Sequence, residues 1–202
     1  ATGVLGPSVV EAFLENGATV AAVARRAPAP RERLIPIAAD LTDPQEAARA
    51  VRQAEAAGPI EVLVHALGGF TSGGALDETS DAVWRSMLDM NLNAAFYVIR
   101  AVLSGMKARG RGRIIAVGSR SGEMPAAGLA AYSVSKAGLH ALIECAAAEV
   151  KGSGITANAV LPSFIDPARG VSSESIARLI VWLARPEAGD VNGALIPIYG
   201  RV

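Results

Sequence analysis

The chain has 202 residues, enough to bury one sizeable core, and residues 1–202 read as a single domain. Its 19 basic and 19 acidic side chains balance, and no run of about 18 uninterrupted apolar residues occurs, so neither a nucleic-acid partner nor a membrane span is expected. Apolar residues make up 51% but aromatics only 4%, and the excess of Ala and Val suits helices packed closely on a sheet with little need for bulky anchors.

Apolar runs of strand length alternate with helical patterns along the chain. Strands are predicted at Ala18 to Ala24, Leu34 to Ala38, Ile60 to His65, Arg113 to Gly118, Ile155 to Leu161 and Ala194 to Ile198. Helices are predicted at Ser8 to Asn16, Pro44 to Ala57, Ser80 to Arg109, Leu129 to Lys151 and Ser173 to Ala184. Nearly continuous apolar strands separated by helices indicate a parallel sheet covered on both faces. With right-handed crossovers this is an α/β doubly wound sheet of Rossmann type, three layers deep. Ligands on such sheets bind beyond the carboxyl ends of the strands.

The turn Thr2-Gly3-Val4-Leu5-Gly6 leads directly into a helix, and its glycines let backbone approach a pyrophosphate at the helix N-terminus. The next strand ends at Ala24-Arg25-Arg26 without an acidic residue; arginine there suits the 2′-phosphate of NADP(H), leaving NAD(H) as the alternative cofactor. Tyr132 and Lys136 are four residues apart and share a helix face. A nearby ammonium favours the phenolate, so the pair has an acid–base rationale. Ser119, just past an apolar strand, stands at the edge of the binding crevice, where it could hydrogen-bond a substrate carbonyl. In Met90-Asn91-Leu92-Asn93, polar amides interrupt an apolar helix, so at least one should be buried and bonded.

In this order and spacing the chain resembles a short-chain dehydrogenase/reductase over essentially its whole length. Ser119 precedes Tyr132 by thirteen residues and Asn91 precedes Ser119 by twenty-eight, as in that family. Asp40-Leu41 after the second strand and Gly154 to Pro162 near the end match it too. The resemblance implies an NAD(P)-dependent oxidoreductase acting on a small carbonyl or alcohol. Tyr132 would be the acid or base, Lys136 would lower its pKa and hold the nicotinamide ribose, and Ser119 would polarise the substrate oxygen. Asn91 would anchor a water linking Lys136 to solvent. The cofactor would touch Gly3, Leu5, Gly6, Arg25, Asp40, Leu41, Ala66, Gly68, Tyr132, Lys136, Pro162 and Ile165. Neighbouring copies would pair their long Ala-rich helices into a homotetramer or homodimer.

The sequence departs from the family at three places. Only two residues separate Gly3 from Gly6, where the family has Thr-Gly-x-x-x-Gly-x-Gly. His65-Ala66-Leu67-Gly68 replaces Asn-Asn-Ala-Gly, and Pro162-Ser163 replaces Pro-Gly with little chain left for a lid. Residues lying outside this sequence at the start, the glycine turn and the lid would explain the shortages together. These shortages keep open a non-catalytic nucleotide-binding sensor or scaffold, and an isomerase or epimerase with bound nicotinamide stays open as well. His65 is expected to be structural, His140 to sit at the surface or in packing, Trp84 and Trp182 to be packing residues on their helices, and Cys145 to be a small core residue. Neither histidine has metal-ligand spacing to other ligands, so no metal is expected. A single cysteine and no charged-then-apolar leader point to the cytoplasm.

Overall fold

Local chemistry sets most element boundaries in the computed structural model, which describes residues 3–166 and 168–200. Thr2 of the glycine turn lies outside the described residues. Helix α1 (Gly6–Glu15) starts with Pro7 in its first turn and leads to strand β1 (Val20–Ala24) and then β2 (Leu34–Ala38). Asp43 caps α2 (Pro44–Glu55) by accepting from the Gln45 and Glu46 backbone N–H groups, with Pro44 at the first position. Strand β3 (Val62–His65) follows, then α3 (Asp81–Leu88), capped by the Ser80 hydroxyl. The long predicted helix does not run straight into α4 (Ala94–Arg109): one π-helical turn, Asp89–Asn93, separates the two. Gly110 ends α4 in the left-handed region at φ 64°. The remaining elements are β4 (Gly112–Val117), α5 (Ala130–Glu149), β5 (Ile155–Pro162), α6 (Ser173–Ala184) and β6 (Leu195–Ile198).

All strand pairs are parallel, and alternation along the central strands builds the three layers. Ile114 and Ala116 of β4 join Ala157, Ala159 and Leu161 of β5 in a core beneath α2, α4 and α5. Ile115 and Val117 face the opposite way, into a second core with Val9 of α1 and Ile176, Ile180 and Leu183 of α6. Every residue of β5 is buried, as a strand covered on both faces requires. Burying one such Ile or Leu contributes about 1.5–3 kcal/mol, so these two clusters dominate the stability. Pro36 and Pro197 sit in β2 and β6, each of which pairs with a single neighbour, the edge positions where a missing N–H costs least.

The parallel sheet is divided. β1 pairs with β2, and β3-β4-β5-β6 form a second ladder; among the described residues none joins β1 to β3. A cleft lined by Val20 to Ala24 on one side and Val62 to His65 on the other lies between them. In a dinucleotide-binding sheet that position belongs to the strand leading into the first helix. The consequence is visible in β3: Val62, Leu63 and Val64 are only half-buried, although they are as apolar as the buried residues of β4.

One packing expectation is corrected: Cys145 lies exposed on α5 instead of in the core. Trp84 and Trp182 pack with part of their surface open, 37% and 43% exposed. A helix spacing pattern shows which residues share a face but not whether a neighbour covers it, and here the outer faces of α3, α5 and α6 carry them.

Candidate active site

The carboxyl end of β4 turns at Gly118-Ser119 into one 3₁₀ turn, Arg120–Gly122, for which the Ser119 hydroxyl accepts the Ser121 N–H at 3.2 Å. Helix α5 lies against this strand end, and its first half projects Tyr132 and Lys136 toward it. The Lys136 Nζ, 4% exposed, donates to the Val117 carbonyl at 2.9 Å. Burial disfavours the ammonium and brings its pKa down to about 8, so it remains largely charged at neutral pH. The Tyr132 phenol is pushed above its ordinary value by burial, and a hydrogen bond with the Ser119 side chain opposes that shift. The lowering by Lys136 expected from the sequence is not among the influences on Tyr132 here: the ammonium is turned to Val117. Phe70 stacks edge-on to Tyr132 at 5.1 Å between ring centres, and it is itself 63% exposed.

Asn91, fully buried in the π-helical turn, holds the opposite wall. Its Oδ1 accepts from the Gly69 N–H at 2.9 Å, and its Nδ2 donates to the Gly69 carbonyl and to Ser135 Oγ, each at 3.0 Å. Ser135 in turn donates to the Tyr132 carbonyl at 2.7 Å. The cost of a helix-interior asparagine is thus offset by bonds to the loop after β3 and to α5, and π-helical turns recur at such functional positions. Gly68 fits between the two walls. A Cβ there would stand 2.9 Å from Asn91 Oδ1 and 3.1 Å from Lys136 Nζ, so only glycine fits without displacing one of them.

Ser119, Tyr132, Lys136, Gly68 and Phe70 open onto one cleft of about 1910 Å³. Gly3, Leu5 and Gly6 line it at the start of α1, with open space where a Gly3 side chain would lie. Arg25 and Arg26 line it at the end of β1, beside Asp40 and Leu41. The Asp40 carboxylate accepts from the Thr42 N–H at 3.0 Å and hydroxyl at 2.7 Å; these bonds hold its pKa below the usual value, and the Arg25 charge adds to the effect. Ala66 and Gly68 line the cleft after β3, as do Pro162 at the end of β5 and Ile165 beyond it. Asn91 does not line it; it acts on the wall from behind. Among the described residues after β5, the Val171 N–H bonds the Phe164 carbonyl and the Asp166 N–H the Val171 carbonyl. The predicted site residues therefore converge on one place. Sequence reasoning missed His140, which is buried beneath Ser119; the signal was the recurrence of Tyr132, Lys136 and His140 at intervals of four on one helix.

Residues 1–175 match the short chain dehydrogenase family. The chain is 33% identical over 183 residues to an acetoacetyl-CoA reductase of Allochromatium vinosum, covering 80% of this chain and 74% of that protein. It is 35% identical over 193 residues to a galactitol 2-dehydrogenase of Rhizobium johnstonii, covering 89% and 75%. In fold it is similar to ElxO, solved with NADP bound: the TM-score is 0.89 at 21% identity, covering 96% of this chain and 92% of that one. With the family match running over most of its length and relatives at this identity, the chain belongs to the short chain dehydrogenase family.

Proposed function

We propose that this single Rossmann-type domain transfers a hydride between NADP(H) and a small carbonyl or alcohol, with Tyr132 as the acid or base. The observation that carries the reading is the meeting of Tyr132, Ser119 and the buried Lys136 at one strand end, inside a cleft that also holds Arg25 and Gly68. The residues fit such a cofactor: Arg25 and Arg26 offer a phosphate its charge partners, Asp40 and Leu41 border the adenine side, and the glycine at 68 leaves the backbone approachable beside Lys136. Gly3, Leu5 and Gly6 would meet the pyrophosphate, Ala66 the ribose, and Pro162 and Ile165 the nicotinamide. Bound NADPH supplies the hydride.

In the reductive direction Ser119 donates a hydrogen bond to the substrate oxygen, and Tyr132 Oη delivers the proton that turns the carbonyl into an alcohol. Burial keeps Tyr132 protonated at neutral pH, the form that reduction needs. Lys136 sets a positive charge behind it, and Asn91 fixes the wall that holds Gly68 and Tyr132 in register. The substrates named for the two relatives differ, an acyl thioester and a polyol, so the shared chemistry is the carbonyl–alcohol centre.

NADPH is expected to bind more tightly than NADH in a fluorescence titration. Replacing Arg25 and Arg26 together with Ala should erase about a 10- to 100-fold preference, the worth of charge-assisted bonds of roughly 1.5–3 kcal/mol. An unchanged ratio would remove the arginines from 2′-phosphate recognition. A second reading is a nucleotide-binding sensor or scaffold, favoured by the short Gly3–Gly6 turn and the unbridged opening between β1 and β3. Tight cofactor binding without turnover across a carbonyl panel would select it.

The same reading includes self-association through α4 and α5. Their outer face carries Phe96, 41% exposed, with Arg100 stacked over it at 4.9 Å, and Cys145 beside Leu142. Light scattering at micromolar concentration is expected to give a dimer or tetramer, and Phe96→Asp to give a monomer. A monomeric mass for the unmodified chain defeats this. Among the described residues no helix is long and apolar enough to cross a membrane, and a cytoplasmic location accords with the proposed use of NADP(H).

A further inference from the structure

Helix α5 presents not two but three functional side chains in a row. Tyr132, Lys136 and His140 follow at i, i+4 and i+8, and each engages the same three-residue segment at the end of β4. Tyr132 meets the Ser119 side chain, Lys136 bonds the Val117 carbonyl at 2.9 Å, and His140 Nε2 accepts the Ser119 backbone N–H at 3.3 Å. The imidazole is 4% exposed and is packed between Gly118 and Gly122, where a Cβ on either glycine would collide with the ring. Two glycines that the turn itself does not force into a positive φ are thus explained by the ring they admit.

We propose that His140 is a positioning residue: its neutral imidazole, protonated on Nδ1 only, holds the Ser119 backbone so that the Ser119 hydroxyl faces Tyr132 and the substrate oxygen. This rests on the catalytic reading above. The tautomer follows from the bond, because a nitrogen that accepts from an N–H carries no proton. Adding a proton to Nε2 would set two N–H groups against each other and release Ser119. The charged groups facing the ring are Lys136 on its own helix and Glu123 after the 3₁₀ turn. Burial and Lys136 resist that proton and Glu123 favours it, with a net displacement below the ordinary imidazole value of 6.5. Ser119 is therefore held at neutral pH and freed in acid. The other titrating groups of the site act elsewhere: Lys136 near 8, Tyr132 above its ordinary 10.0, His65 near 3 and Asp40 below its ordinary 3.8.

The test pairs kinetics with a measurement that needs no substrate. In the full chain, ¹⁵N NMR should show His140 with Nε2 unprotonated at pH 7.5. The Ser119 amide should shift with the same midpoint as the His140 ring as the pH is lowered. A Ser119 amide indifferent to His140 titration, or an Nε2 that carries the proton at pH 7.5, overturns the proposal. Carbonyl reduction should show an acid limb at that midpoint. His140→Leu is expected to lose about 10-fold or more in kcat, the cost of a misplaced catalytic group, with cofactor affinity retained and the acid limb gone. His140→Gln, whose side-chain oxygen can accept the same N–H, should recover most of the activity and also lack the limb. An acid limb that persists in both variants overturns the proposal. If the chain reduces no carbonyl but the NMR midpoints coincide, the catalytic reading fails while the His140–Ser119 link stands.

Discussion

Replacing Tyr132 with Phe is expected to lower carbonyl-reducing turnover by about 10²- to 10⁴-fold, the range for loss of a positioned general acid, while NADPH binding persists. The substitution removes one oxygen and leaves the ring whose edge meets Phe70 at 5.1 Å, so packing has little reason to change. The Ser119 hydroxyl loses its bond with Tyr132 and keeps the Ser121 N–H, and the Ser119 backbone N–H keeps its bond to His140. The pH dependence distinguishes this role from a binding role. Burial lifts Tyr132 above 10.0, so the proton that reduction requires is present throughout the neutral range, and the alkaline fall in reduction should come only as the pH approaches that raised value. Alcohol oxidation requires the phenolate and should rise with pH over the same interval. A Tyr132→Phe variant that turns over within about twofold of the unmodified protein would remove Tyr132 from the chemistry.

Much of this site was legible because helix geometry is periodic. The four-residue interval between Tyr132 and Lys136 fixes a shared face whatever surrounds it, and an apolar run ending at Gly118-Ser119 fixes a strand end. Strand β2 and helix α6 begin and end where the pattern places them, bounded by turn chemistry and by Ser172 as cap. Other features depend on contacts that no periodic pattern contains. The π-helical turn at Asp89–Asn93 is favoured by what Asn91 reaches, the Gly69 backbone and Ser135, and both lie far away in sequence. The exposure of Cys145 and Trp182 depends on which helix faces remain uncovered. The direction of the Tyr132 shift is of the same kind. Spacing puts an ammonium and a phenol on one helix face, yet burial sets the direction of the phenol's shift and the ammonium directs its hydrogen bond to Val117.

The other large effect is expected in stability at acid pH. His65 ends β3, 2% exposed, and its Nε2 has no hydrogen-bond partner among the described residues. Burial, reinforced by the Lys136 charge, brings its pKa down from 6.5 to about 3. Above pH 6.5 the ring is neutral whether the chain is folded or unfolded, and it contributes no pH dependence. Between 6.5 and about 3 the unfolded chain takes up a proton that the folded chain refuses, so stability declines as the pH falls, by about 1.4 kcal/mol per unit. At pH 5 the loss is about 2 kcal/mol, a large part of a typical 5–15 kcal/mol. His140, also shifted downward, adds in the same direction. Asp40 does not interfere, since its lowered value places its own loss below 3.8. Urea unfolding at pH 7 and pH 5 reads the difference directly. His65→Asn keeps a polar side chain at the strand end but cannot take up a proton, so it should unfold with about 2 kcal/mol less loss between the two pH values than the unmodified chain. Any fixed destabilisation from the smaller side chain appears equally at both and cancels. If both proteins lose the same stability on acidification, His65 is charged in the folded state, and a counter-charge must reach the end of β3.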